Sequence, residues 1–88
     1  MDITATYLEN ANLVENIEVN DQQAGKFLRK IREAKGLTRD QLAEKIGRHR
    51  NSIYNLEENG QASPELWALV AEVLGYEHRQ PHIFIPKD

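Results

Sequence analysis

The chain contains no cysteine in 88 residues. That absence excludes a disulfide framework, a thiolate zinc site and a cysteine nucleophile, and it leaves the redox compartment open. No apolar run approaches the roughly 18 residues of a membrane span. The start, Met1-Asp2-Ile3-Thr4, lacks the basic-then-apolar order of a secretion signal. The expectations are therefore no membrane partner and a cytoplasmic location. Internal repeats and low-complexity stretches are also missing. A chain this short buries only about 60% of the surface its unfolded form exposes, so one core is expected rather than two. Without covalent staples, that core needs packed helices or oligomerisation. With 40% hydrophobic and 28% charged residues, the composition is that of an ordinary globular chain.

Basic residues are lacking at one end. Residues 1 to 25 carry Asp2, Glu9, Glu15, Glu18 and Asp21 and no base, whereas residues 26 to 50 carry nine bases against three acids, a net of +6. Residues 51 to 77 return to −5, so the formal net charge of −3 hides a basic middle between acidic flanks. Solvated helix faces often carry mixed charge, and the block alone favours nucleic acid only weakly.

Capping residues and apolar periodicity predict four helices. Asp21 is expected to cap the first, which runs to about Lys35 with Phe27, Leu28, Ile31 and Ala34 inward, and Gly36 stops it. Thr38 caps the second in a capping box with Gln41, with Leu42, Ala43 and Ile46 inward, and Gly47 ends it. A third starts at Arg48 or His49, buries Ile53 and Leu56, and stops at Asn59-Gly60. Ser63 and Pro64 open a fourth, with Leu66, Trp67, Val70, Ala71 and Leu74 apolar before Gly75.

The ends read differently. Tyr7, Ala11 and Val14 suit a short helix, whereas Ile17 and Val19 alternate with Glu18 as in a strand. His82-Ile83-Phe84-Ile85, between Pro81 and Pro86, suits an edge strand. Those two strands could pair with each other or with a second copy. The expected organisation is an N-terminal extension over 1–20, a helical domain over 21–75 and a C-terminal extension over 76–88.

The informative stretch is residues 37–57, where two short helices meet at Gly47. The small Ala43 lies where the third helix must cross, and Gly47 reverses the chain without a Cβ clash, so the helices can pack steeply. Anchored by Ile53 and Leu56, the third helix presents His49, Arg50, Asn51, Tyr54 and Asn55 outward.

From about Leu28 to Gly75, without a gap, the chain resembles the Cro/repressor type of helix-turn-helix domain, the Xre-like family that includes the lambdoid phage repressors. The resemblance rests on Gly36-Leu37-Thr38, Gln41-Leu42-Ala43, Gly47, Ile53, Leu56-Glu57, Pro64 and Leu74-Gly75. It implies an all-α, four- to five-helix, lambda-repressor-like DNA-binding domain, with room for short terminal β-strands. It further implies an ion pair between Arg32 and Glu57. Carried over by position, His49, Arg50, Asn51 and Asn55 resemble residues that meet base edges in the major groove. Arginine suits guanine O6 and N7, and asparagine suits adenine N6 and N7. Thr38, Arg39, Arg48 and Asn59 are expected at phosphates. One departure stands out: the loop after the third helix reads Glu58-Asn59-Gly60-Gln61-Ala62-Ser63 with no cation, which implies a weak clamp on that side.

Other chemistry finds little support. Trp67 sits at core spacing with Leu66, Val70 and Leu74. Pro81 prevents a helix that would align His78 with His82, and no metal or other cofactor is implied. Glu57 and Glu58 are helix neighbours that point to different faces, so no catalytic pair results and no enzyme is expected. The expected function is sequence-specific DNA binding as a homodimer on a palindromic operator, with repression of transcription implied by the resemblance. The alternative is an antitoxin that also holds a toxin protein through its terminal extensions, since such antitoxins share this domain.

Overall fold

A computed structural model describes residues 19–87. The expected helix around Tyr7, Ala11 and Val14 lies outside the described residues, as do Ile17 and Glu18 of the alternative strand, whereas Val19 is half-buried against the core and in no strand. Four helices and one hairpin follow: α1 Asp21–Ala34, α2 Arg39–Ile46, α3 Arg50–Tyr54, α4 Pro64–Val73, β1 Tyr76–Arg79 and β2 Ile83–Pro86. The third helix continues past α3 as a π-helical segment, Asn55–Asn59.

Local chemistry sets the helix starts. Asn20 caps α1, not Asp21: its Oδ1 accepts from the Gln23 N–H at 2.8 Å, while Gln23 Oε1 accepts from the Asn20 N–H at 3.0 Å. The two-way exchange satisfies two groups at once and moves the start one residue earlier. Asp21 then lies in the first turn, where the helix dipole favours an acid. Thr38 and Gln41 form the same box on α2, and Gly47 ends that helix at φ +67°. Ser63 caps α4 ahead of Pro64, as the sequence implied.

All four helices feed one core. Ala24 and Leu28, Leu42 and Ala43, Ile53 and Leu56, and Leu66, Trp67, Val70, Ala71 and Leu74 form a single buried cluster. Each large side chain sunk this way contributes about 1.5–3 kcal/mol. The stripe of α1 is rotated from the expected one: Ala34 is exposed, Phe27 and Ile31 are half-buried, and Ala24 and Gly25 take the inward positions. Gly25 is there because α1 crosses the chain at Leu56, where a Cβ would sit 2.2 Å from the Leu56 carbonyl oxygen.

The C-terminal strand forms as expected but finds a different partner. It pairs antiparallel with β1, His78 opposite Phe84 and Glu77 opposite Ile85. The sequence concealed β1 because Tyr-Glu-His-Arg has a single apolar residue, yet Tyr76 and His78 alternate inward with Glu77 and Arg79 outward. Phe27 of α1 packs under both strands, its ring centroid 5.4 Å from Tyr76 and 4.9 Å from Phe84. The hairpin is thereby part of the helical core's own packing.

Candidate nucleic-acid interface

Thr38 through Asn59 build the helix-turn-helix. Its turn is short because Gly47 takes left-handed geometry and the Arg48 N–H then donates back to the Ala43 carbonyl at 3.0 Å. Ile53 and Leu56 are fully buried and fix the roll of the third helix. The opposite face carries His49, Arg50, Asn51, Tyr54 and Asn55, all exposed. The third helix begins at Arg50, with His49 as its cap: the Asn51 N–H donates to His49 Nδ1 at 3.1 Å. That contact places the neutral ring's proton on Nε2, an outward-facing donor. Asn51 and Asn55 share one face one turn apart, and Asn55 Oδ1 accepts from Asn59 Nδ2 at 3.2 Å.

Beneath this face lies a charge network larger than the implied single pair. Arg32 binds Glu57 through Nε at 2.7 Å and Nη2 at 3.0 Å, and its Nη1 donates to the Leu37 carbonyl at 2.7 Å. Glu57 is buried, and it also accepts from Arg39 Nε at 2.9 Å. Arg39 Nη2 reaches Glu58 at 2.6 Å, and Arg29 Nη1 reaches the same carboxylate at 2.9 Å. The hydrogen bond that Arg39 donates to Glu57 raises the Arg39 pKa above its ordinary value against the opposing effect of burial. The guanidinium of Arg39 also lies 5.0 Å over the Tyr54 ring.

This network changes the electrostatic reading in two ways. Glu57 and Glu58 are neutralised by three arginines, so they repel DNA less than their sequence position suggests. Those same arginines are occupied, and Arg39 in particular is held between carboxylates rather than extended toward solvent. Among the described residues, Lys26, Lys30, Lys35 and Lys45 carry no ion pair. Arg48 lies 3.4 Å from Glu65, and Arg50 Nε lies 3.2 Å from Asp40. Thr38 uses its oxygen to accept from the Gln41 N–H at 3.0 Å, which leaves the hydroxyl proton free to donate outward. Asn59 is exposed at the last position of the π-helical segment. The extra partners of Glu57 and Glu58 carried no sequence signal, because Arg39 and Glu58 are 19 residues apart and meet only once α2 packs on the third helix.

A second polar cluster joins the hairpin to α1. The turn between strands brings together the two histidines that the sequence reading kept apart, His78 Nε2 lying 2.9 Å from His82 Nδ1. His82 Nε2 donates to Asp21 Oδ1 at 2.6 Å. Both rings pack on Trp67, at centroid distances of 5.9 and 4.4 Å. Burial lowers the His78 pKa below its ordinary value, and the neighbouring His82 adds to that shift. Among the described residues, no group of three ligating side chains could hold a metal ion, and no helix is long and apolar enough to cross a membrane.

A family model described as helix-turn-helix matches residues 28–80, more than half of the chain. No curated protein matches it. The matched span contains α2, α3, α4 and β1, together with every residue named above on the exposed face of the third helix.

Proposed function

The chain belongs to the helix-turn-helix family of Xre-type, DNA-binding transcription regulators, and from that premise we propose that it represses transcription by binding a palindromic operator as a cytoplasmic homodimer. The carrying observation is the exposed row His49, Arg50, Asn51 and Asn55 on a helix whose other face is locked into the core. Their side chains offer the donors and acceptors that major-groove base edges require. Arg48, the Thr38 hydroxyl and Asn59 flank that row as phosphate contacts. Arg39, committed to Glu57 and Glu58, assists by holding α2 against the third helix, with its remaining Nη1 left for a phosphate oxygen. Few free cations imply modest affinity for a single domain, so two recognition helices on one duplex supply the specificity.

Selection from a randomised duplex library, followed by sedimentation of the complex, tests this reading. The expected result is an enriched inverted repeat with half-sites about one helical turn apart, bound by two chains. Failure to enrich any sequence would overturn it.

The second reading, an antitoxin, draws on Val73 and Ile83, which leave apolar side chains exposed outside the helix-turn-helix. Its test is co-expression with the product of an adjacent reading frame. Rescue of growth and a stable complex would favour it, and an inert neighbour would refute it.

A further inference from the structure

Resting on the DNA-reading role above, we propose that Asp40 is a positioning residue for Arg50: its carboxylate orients the guanidinium for guanine and so sets specificity without touching a base. Arg50 is the first residue of α3, with a side chain 63% exposed, and its Nε lies 3.2 Å from Asp40 Oδ1 on α2, itself 68% exposed. Among the described residues, Arg50 makes no other ion pair. A free arginine samples many rotamers and must lose that freedom on binding. The carboxylate 3.2 Å from Nε restricts those rotamers by charge attraction and leaves both Nη groups unpaired, as the fork that matches O6 and N7 of guanine.

The placement of an acid here carries an electrostatic cost that sharpens the prediction. Asp40 lies in the first turn of α2, where it interacts well with the helix dipole, yet it stands beside the helix that must approach phosphates. A residue serving only that helix would, when neutralised, lower stability and change binding to every duplex by the same factor. A residue serving Arg50 has two effects of opposite sign: neutralising it relieves repulsion from every duplex while loosening discrimination at one base pair.

The experiment uses the full chain as wild type, Asp40→Asn, Arg50→Ala and the double variant. Each is taken through selection from randomised duplexes, then titrated on the selected site, its single-base variants and a random duplex. Arg50→Ala is expected to erase a guanine preference at one position per half-site. Asp40→Asn is expected to cut discrimination at that same position by about tenfold, within the range one bidentate contact carries, while binding random duplex more tightly. In the Arg50→Ala background it should have no further effect on that position. An unchanged guanine preference in Asp40→Asn would overturn the proposal. So would a preference altered at a different base pair, which would make Asp40 itself a reader, or an equal loss on all duplexes with a lower melting temperature. A wild-type motif in which Arg50→Ala changes no guanine overturns this inference alone, whereas no wild-type motif at all overturns the operator reading with it.

Discussion

Arg32 and Glu57 form a two-point ion pair inside the protein, Nε to Oε2 at 2.7 Å and Nη2 to Oε1 at 3.0 Å, with both side chains almost wholly shielded from water. Desolvation offsets most of such a pair's attraction, so its role is to fix how the recognition helix sits on α1. Removing one partner is another matter. Arg32→Ala leaves a buried carboxylate with only the partly exposed Arg39 beside it, and the expected loss is about 3 kcal/mol in urea denaturation. Replacing both residues, as Arg32→Met with Glu57→Leu, should recover much of that loss. A double variant as unstable as Arg32→Ala would show that the pair itself contributes net stability.

Arg39 and Asn51 separate holding from reading. Arg39→Ala releases Glu57 and Glu58 from α2, so binding should weaken by a similar factor on specific and random duplexes, with a small fall in melting temperature. Asn51→Ala should leave stability unchanged and relax preference at one or two base pairs by about 1–3 kcal/mol. Titrations on matched and mismatched duplexes decide between them, and the same pattern for both variants would remove the distinction.

The helices were legible in the sequence because each carries its own punctuation. Thr38 with Gln41, Gly47, and Ser63 with Pro64 act through neighbours three or four residues away, and the structure places all of them as read. The exposed row from His49 to Asn55 followed from where Ile53 and Leu56 had to point. What stayed hidden depended on distant segments. Gly25 reads as an ordinary helix weakener until Leu56 is seen against it. Tyr76–Arg79 becomes a strand only because Phe84 and Ile85 lie alongside. Likewise, Pro81 correctly excluded a helix between His78 and His82, but a hairpin turn brings them together by another route.

That histidine contact predicts how stability depends on pH. Burial keeps His78 neutral below its ordinary range, whereas in the unfolded chain it titrates near 6.5, the usual value for histidine. Above about pH 6.5 neither state binds the proton, and His78 has no effect on the balance. As pH falls through that value, the unfolded chain takes up the proton first, and stability declines until the folded His78 protonates as well. Thermal midpoints between pH 7.5 and 5 should therefore fall more steeply for wild type than for His78→Gln. Parallel curves would mean that another group causes the acid sensitivity.

Gly25 offers a test in which two general rules predict opposite signs. Alanine in place of glycine inside a helix ordinarily stabilises it by about 1 kcal/mol. Here the added methyl would lie 2.2 Å from the Leu56 carbonyl oxygen and 3.0 Å from that of Glu57, both backbone atoms of the recognition helix. Neither can move alone, so α1 and the third helix must separate, at the 1–3 kcal/mol typical of overpacking or about that. Gly25→Ala should thus be destabilised in chemical denaturation, and its DNA affinity should fall too, since Arg32 and Glu57 sit on the helices being forced apart. Alanine at an exposed site of the same helix, Gln22→Ala, is the control for placing a methyl on α1 without that contact. If Gly25→Ala is as stable as wild type, the close crossing of α1 over Leu56 is wrong, and with it the account of how the recognition helix is held.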